Sequence, residues 1–267
     1  MTDSTGSAET TSGQTTARST HDQSPRSLGS SVSAIRDVAS HLRLWLVAAV
    51  GLWFDLWSKD WAFENLIPDE GRIIIPHLMS FQRSLNTGAL FGLGKGWTSV
   101  FIFASLLALG FVLYLFAHST RDRWSLHLAL ACVLGGALGN LYDRTYSIAQ
   151  AVTYTNPTGT FTVVGSVIQE DETGVVYGSW PEQHNPKRLP ASWQPTVQDK
   201  GVVRDFVRME PRISIPWLGW SFDVWPWVFN VADALLVVGV AVLMLNFWGE
   251  RRHERADAKA EPNAADS

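Results

Sequence analysis

The sequence predicts a mainly α protein with four membrane-crossing helices, a small β-rich part outside the bilayer and a long insertion on the outer face. Two observations lead to this fold class. The chain of 267 residues is 46% hydrophobic and 17% charged and has 13 tryptophans, so it is more apolar than an average soluble domain. Four of its segments also approach the ~20 apolar residues that a transmembrane helix needs, and Trp or Phe borders most of them.

The four predicted spans are residues 42–57, 97–117, 124–142 and 224–248. Buried helices of a soluble core would also be apolar, but the flanking tryptophans and charges favour the membrane. Basic residues lie before the first span, in the loop HSTRDR at 118–123 and directly after the fourth span. With four spans these three regions share one side, and the positive-inside rule assigns that side, with both termini, to the cytoplasm.

The other regions differ from the spans in composition. Residues 1–40 are rich in Ser, Thr and Gly and are predicted to form a disordered cytoplasmic tail, and 251–267 form a second tail. Residues 41–250 form the membrane-embedded part. Within it, 65–92 are expected to form short strands or loops at the membrane surface, and 145–200 an irregular or strand-like insertion outside the bilayer.

Charge and cysteine content exclude other classes. The net charge of −4 gives no indication of nucleic-acid binding. The single cysteine, Cys132, allows no disulfide within the chain, and its position in an apolar run is typical of a packing residue.

Polar residues cluster near the outer ends of the predicted spans, where they are costly unless they serve a function. Asp55 and Lys59 are spaced i, i+4 at the end of the first span, so they share one helix face as a structural pair or as part of a site. At the end of the third span, Asn140, Asp143 and Arg144 also share one face.

Glycines in the third span have a different interpretation. Gly135 and Gly139 have the small-xxx-small spacing that lets a second helix approach closely, and Gly136 lies between them. The pattern therefore favours helix packing.

The fourth span contains Asn230 and Asp233 near its start, spaced i, i+3 on one face. A carboxylate beside an apolar run needs a partner, and two candidates are Asp143 and Asp205. Two neighbouring carboxylates share a proton, and such a pair can activate a water molecule against a peptide carbonyl. The residues thus indicate peptide hydrolysis at the outer surface without a metal or another cofactor.

Five motifs in order resemble the lipoprotein signal peptidase (signal peptidase II) family over about residues 42–248. They are DLWSK at 55–59, NTGALFG at 86–92, GGALGNLYDR at 135–144, VVRDFV at 202–207 and FNVADA at 229–234. The resemblance implies a four-span aspartic endopeptidase of the bacterial inner membrane, with a surface β-cradle. It would act as a monomer among membrane lipids and cut diacylglyceryl-modified prolipoproteins before the lipidated cysteine.

The resemblance also implies residue roles. The catalytic pair would be Asp205 and Asp233, and Asp143 a structural or orienting carboxylate. The remaining matches are expected to orient the site or bind substrate: Asn86, Gly88, Asn140, Arg144, Asn230, Asp55 and Lys59.

Two features depart from the family pattern. Arg204 precedes Asp205 where the family has an apolar residue, and the alternation of side chains along a strand predicts that Arg204 points away from Asp205. A long insertion also separates Asp143 from Asp205, and the stretch from Asp205 to Asp233 is somewhat long.

Other classes explain less of the sequence. A transporter would use membrane carboxylates, but no repeated halves are visible. A Ser/Lys peptidase would need Ser58 with its neighbour Lys59, or the loop residues Ser84 and Lys95. A zinc peptidase would need metal-ligand spacing, which His77, His118 and His127 lack. A membrane anchor that presents the insertion to a partner would leave the Asn and Asp clusters unexplained.

Overall fold

A computed structural model describes residues 32–87, 98–215, 217, 220–223 and 225–260 of the chain. The described residues include four α-helices: α1 (Val38–Asn65), α2 (Thr98–Ala117), α3 (Trp124–Tyr146) and α4 (Val231–Ala260). Helices α1 and α3, and α4 as far as Arg252, are long and apolar enough to cross a membrane. Helix α2 contributes a shorter apolar segment, Phe103–Ala117.

Helix α3 packs against the other three helices. Close approach is possible because a side chain on Gly135 would collide with the backbone of Ala48 in α1. A side chain on Gly136 would collide with Ala232 in α4, and one on Gly139 would collide with Asp55 in α1. The predicted packing role of Gly135 and Gly139 is therefore confirmed. The close van der Waals contact between the helix backbones stabilises the packing although glycine has no side chain.

Eleven strands are found in the part of the chain that the structure describes. They are β1 (Arg72–Ile75), β2 (Met79–Asn86), β3 (Ile148–Asn156), β4 (Gly159–Asp171), β5 (Gly174–Gly178), β6 (Lys187–Pro190), β7 (Thr196–Gly201), β8 (Val203–Met209), β9 (Arg212–Ile215), β10 (Trp220–Asp223) and β11 (Val228–Phe229). All pairings are antiparallel. They form a four-stranded sheet in the order β1–β2–β8–β11, a five-stranded sheet in the order β6–β5–β4–β3–β7 and the β9–β10 hairpin.

The fold is thus a mixed α/β membrane protein. The predicted four helices and the strands outside them are present, but the strands are too extensive for a mainly α class. The difference lies in the region after α3. Its Thr- and Val-rich segments suit paired strands. They form a regular sheet where the sequence had predicted irregular or strand-like structure.

The insertion begins and ends at neighbouring strands. Ile148 at the start of β3 pairs with Gly201 at the end of β7, and the amide of Val202 donates to the carbonyl of Ser147 over 2.9 Å. Gly201 lies against the backbone of Arg144 at the end of α3, and a side chain there would overlap the Arg144 carbonyl. Strand β8 therefore starts directly beside the end of α3.

The boundaries of α1 and α4 differ most from the prediction. Helix α1 extends to Asn65, so Asp55 and Lys59 lie within the helix rather than at its end. Helix α4 begins at Val231 rather than at Val224, because β11 occupies the preceding segment. The same helix continues to Ala260, so residues 251–260 are helical although they were predicted to be a tail.

The opposite ends of the helices meet at a second junction. The amide of Ala34 donates to Ser119 over 3.0 Å, and the amide of Arg121 donates to Val32 over 2.9 Å. Arg123, at the start of α3, forms an ion pair with Glu250 of α4. The start of α1, the α2–α3 loop and the later turns of α4 thus lie together.

Candidate active site

Lys59 of α1 is at the centre of a buried polar network. Its Nζ lies 2.7 Å from Asp55 Oδ2 and 3.3 Å from Asp143 Oδ2. It also donates to Asn140 Oδ1 over 3.2 Å. The side chains of the lysine and of both aspartates are 0% exposed, so these charges are stable only because they are paired. The predicted pairing of Asp55 with Lys59 on one helix face is confirmed.

Asp55 also connects α1 to the start of α4. Its Oδ1 accepts a hydrogen bond from the backbone amide of Ala232 over 2.7 Å. The first amides of a helix lack partners within the helix, and the helix dipole favours a carboxylate there. Asp55 therefore fixes the position of the first turn of α4.

Asn230 caps α4, and Asp233 lies in its first turn. The amide of Asp233 donates to Asn230 Oδ1 over 3.0 Å, and the amide of Asn230 donates to Asp233 Oδ2 over 3.3 Å. This reciprocal arrangement is a capping box with Asn and Asp in its two positions. The prediction that both residues share a helical face was wrong, because Asn230 precedes the helix. The cap nevertheless brings the two side chains together.

Asp205 of β8 lies beside this cap. Its Oδ1 accepts a hydrogen bond from Asn230 Nδ2 over 2.6 Å, and the side chain of Asn86 in β2 supplies a second one. Asn140 donates to Asp233 Oδ1 over 2.8 Å and accepts from Asn230 over 3.2 Å. Three asparagine side chains thus surround Asp205 and Asp233, which came from two distant segments of the sequence.

The carboxyl group of Asp205 is strongly perturbed. It is only 2% exposed, and burial, followed by the negative charge of Asp233, raises its pKa from 3.8 to about 7. Hydrogen bonds from Asn230 and Asn86 and the charge of Lys59 oppose this rise. A carboxyl group with this pKa can hold a proton near neutral pH, whereas an ordinary aspartate cannot.

Arg204 points to the opposite face of β8, as the strand alternation predicted. Its Nε and Nη2 lie 3.0 and 2.8 Å from Asp143 Oδ1, and its backbone amide donates to Asp143 Oδ2 over 2.9 Å. Its Nη1 donates to Asp60 Oδ1 over 2.5 Å. Asp143 is therefore occupied by Arg204 and Lys59, and it is Asp205 that lies with Asp233. Asp60 was not among the predicted site residues, although this carboxylate directly follows Lys59 in the sequence.

Arg144 of α3 adds a positive charge to the site. Its guanidinium interacts electrostatically with both Asp233 and Asp205. Among the other predicted site residues, Asn86 lies at the end of β2, whereas Gly88 lies outside the described residues. The predicted residues from α1, α3, β2, β8 and α4 thus converge on one site.

Among the described residues, the groups of the alternative peptidase classes do not come together. The hydroxyl of Ser58 donates to the backbone carbonyl of Asp55 over 2.9 Å and so faces away from Lys59. Lys95 lies outside the described residues. His127 is buried and forms a 2.9 Å hydrogen bond with Ser119, within the apolar helix junction. Across residues 32–87, 98–215 and 225–260, no group of three or more His, Cys, Asp or Glu side chains could hold a metal ion.

The structure combines membrane-length helices with two electrostatically coupled carboxyl groups, Asp205 and Asp233, which is the arrangement expected of a membrane-bound aspartic peptidase. A family model described as Signal peptidase (SPase) II matches residues 47–249. The chain belongs to this family. It is a hydrolase that removes signal peptides from prolipoproteins.

Individual relatives agree with the family model. The chain is similar to the lipoprotein signal peptidase of Desulfitobacterium hafniense, at 27% identity over 72% of this chain and 83% of the relative. It is similar to that of Rhodopirellula baltica at 29% identity over 81% of this chain and 77% of the relative. A solved structure of a bacterial membrane enzyme matches with a TM-score of 0.50 and 18% identity, covering 77% of this chain and 87% of that one, which shows the fold.

Proposed function

We propose that Asp205 and Asp233 are the catalytic pair of this peptidase and that it cuts prolipoproteins immediately before a diacylglyceryl-modified cysteine. One observation carries the assignment. Asp205 is buried beside Asp233, its pKa is raised to about 7, and Asn230 forms hydrogen bonds with both residues. Asp205 can therefore hold a proton near neutral pH, and an aspartic peptidase needs one protonated carboxyl group beside its second carboxylate.

The raised pKa of Asp205 suggests how the two roles divide. Asp205 carries the shared proton and donates it to the oxygen of the scissile carbonyl. Asp233, which is less buried, takes a proton from the water molecule as the water oxygen attacks the carbonyl carbon. In the second step the proton on Asp233 passes to the amide nitrogen, the C–N bond breaks, and Asp205 recovers its proton from the tetrahedral intermediate.

The asparagines and Arg144 support this chemistry by position. Asn140 and Asn230 hold the two carboxylates through direct hydrogen bonds. Asn86 contributes from the neighbouring strand, and Arg144 supplies positive charge near both carboxylates. Lys59 and Asp55 act one step further away, through Asn140 and the first turn of α4. All of these residues come from one chain, so a monomer is sufficient.

The charge distribution supports an orientation in the membrane. The basic loop 118–123 and the basic residues of α4 meet the start of α1 at one junction, and we assign this junction to the cytoplasm. The carboxylate pair lies at the other ends of α1, α3 and α4, at the outer face of a bacterial inner membrane. The four-stranded sheet would then be the surface cradle for the substrate. The substrate's lipid chains would lie in the bilayer and position the scissile bond.

The test is cleavage of a diacylglyceryl-modified prolipoprotein by the purified full chain in detergent. Asp205→Asn and Asp233→Asn should each lower the rate by about 100- to 10,000-fold, the usual contribution of an acid–base group. Asp199→Asn, on the exposed surface of β7, is the matched control and should retain the wild-type rate. Wild-type activity in Asp205→Asn would overturn the assignment, and absence of cleavage by the wild type would overturn the function.

A further inference from the structure

A groove separates the four-stranded sheet from the insertion. Its volume is about 410 Å³, which is within the range of ligand pockets, about 300–1,000 Å³. One wall includes residues 83–85 of β2, and the facing wall includes residues 162–164 of β4. Since the asparagines around the catalytic pair do not line it, the groove is distinct from the site described above.

The β2 wall is an incompletely paired strand edge. Strand β1 pairs with β2 only from Met79 to Phe81. On that side of β2, no other strand of the described chain pairs with residues 83–85, while β8 covers the opposite side. Backbone groups on such an edge are available to an added strand.

The β4 wall is also an incompletely paired edge. Strand β3 pairs with β4 from Gly159 to Gly165, but on the other side β5 pairs only from Ser166 to Asp171. Residues 162–164 therefore have a strand partner on one side only, within the part of the chain that the structure describes. The groove thus has an open strand edge in each of its two walls.

Arg83 holds the two walls together. Its guanidinium makes two contacts with Glu182 of the insertion, at 2.9 and 2.8 Å, and a further hydrogen bond with the carbonyl of Trp180. It also lies 4.7 Å from the ring centroid of Phe63 in α1. The Arg83 side chain is only 6% exposed, so the groove is built into the fold.

We propose that this groove binds the substrate residues that follow the modified cysteine, as an extended strand that pairs with β2, β4 or both. Recognition by strand addition takes its affinity from main-chain hydrogen bonds and so accepts many sequences. This inference rests on the proposed function.

The position of the groove supports this occupant. Ser84 in the β2 wall is the direct strand partner of Asp205, so the groove lies one strand away from the proposed catalytic residue. In the orientation proposed above, the apolar signal peptide would lie in the bilayer, and the chain after the cysteine would leave the membrane on the side of the insertion. A polar groove bounded by main-chain edges suits that segment better than it suits an apolar helix.

A matched pair of variants tests the groove. Thr162 and Thr160 are both exposed residues of β4, and each forms a hydroxyl–hydroxyl hydrogen bond with a threonine of β3, at 2.9 and 3.0 Å. Thr162 lines the groove and Thr160 does not. Thr162→Trp would fill the groove, while Thr160→Trp places the same bulk two residues away on the same strand.

The assay compares two diacylglyceryl-modified substrates, one with an extended segment after the cysteine and one that ends directly after it. In the wild type, the extended substrate should have a kcat/KM about tenfold higher, equivalent to one or two main-chain hydrogen bonds. Thr162→Trp should abolish this advantage and leave the short substrate unaffected, whereas Thr160→Trp should behave as the wild type. N-methylation of alternate amides in the extended segment should also reduce the advantage.

Equal kcat/KM for both substrates in the wild type would overturn the inference, and so would an equal loss on both substrates in Thr162→Trp. These results are distinct from failure of the proposed function, in which neither substrate would be cut by the wild type.

Discussion

The buried polar network around Lys59 and the five-stranded insertion both contain charged side chains, but these charges are stabilised in different ways. In the network, Lys59, Asp55 and Asp143 are fully buried and each has several partners. In the insertion, Arg188 lies 4.0 Å from Asp171, and both side chains are at least one-third exposed. Substitutions in the first region leave buried charges without partners, whereas water replaces a lost partner in the second.

The largest predicted loss of stability follows removal of Lys59. Lys59→Met leaves Asp55 and Asp143 buried without their common cation, and we expect the free energy of unfolding to fall by about 3–5 kcal/mol. Thermal unfolding in detergent measures this change. Lys200→Met in β7 removes a lysine from the insertion and should have an effect within about 0.5 kcal/mol. Similar effects of both substitutions would contradict the contrast between the two regions.

Asp205 should make the folded protein less stable as the pH rises, because its burial favours the neutral acid over the carboxylate. Its pKa is about 7 in the folded protein and 3.8 ordinarily, so the folded state holds more protons between about pH 4 and 7. The free energy of unfolding should therefore decrease by up to about 4 kcal/mol as the pH rises through this range. Asp205→Asn should remove that decrease, and Asp199→Asn should retain it. Thermal unfolding at several pH values measures this decrease. The same decrease in Asp205→Asn as in the wild type would contradict the prediction.

Loss of the Asp205 proton should also lower the rate of peptide cleavage. Above about pH 7, Asp205 loses the proton that it donates to the carbonyl, so kcat should fall as the pH rises. The pH profile of kcat measures this directly, with a short lipid-modified substrate. A rate that is constant from about pH 6 to pH 9 would exclude Asp205 as the proton donor.

Helix packing at the network is predicted to be sensitive to a single methyl group. Gly139→Ala would place a side chain against the carboxylate of Asp55 and against Ala232, and we expect a loss of about 1–3 kcal/mol from overpacking. Gly110→Ala in α2 is the control, since a side chain there meets no other atom within 4 Å. Equal changes in the thermal stability of the two variants would contradict a close contact of Gly139 with α1 and α4.

The smallest predicted differences concern the insertion. Arg83→Met removes buried hydrogen bonds to the insertion and should lower the free energy of unfolding by about 1–3 kcal/mol. Burial raises the pKa of Glu182, but the hydrogen bonds and charge of Arg83 contribute to a net lowering. The stabilisation from the Arg83–Glu182 pair should therefore be lost as the pH falls through the Glu182 pKa. Arg188→Met, at an exposed ion pair, should cost about 0–1 kcal/mol. Equal losses in both variants would show that the insertion does not depend on Arg83 for its attachment.

The two regions also differ in how much of them the sequence predicts. Helical spacing placed Asp55 with Lys59 on one face of the first span, and Asn140 with Asp143 and Arg144 on one face of the third. The strand alternation predicted the direction of Arg204. The contact between Arg204 and Asp143 could not be predicted in the same way, because 61 residues separate them in the sequence.

The insertion and the cap were harder to predict for physical reasons. The order of strands in the five-stranded sheet depends on pairings between residues that no local pattern relates, such as Ile148 with Gly201. Asn230 lies in an apolar segment that the sequence assigned to the fourth span as a whole. The pairing of β11 with β8 and the cap that Asn230 forms on the Asp233 amide show that the helix begins only at Val231.

The pairing of β3 with β7 has a consequence for chain entropy. Bringing Asp143 and Arg204 together across 61 residues requires closure of a long loop, and each doubling of loop length costs about 0.6 kcal/mol. The ladder that starts at Ile148 and Gly201 keeps this loop closed at its base, so the ends of α3 and β8 meet as they would across a short turn. The insertion could therefore be exchanged for a different sheet, or for a tight turn, with little change in the spacing of the charged residues next to it.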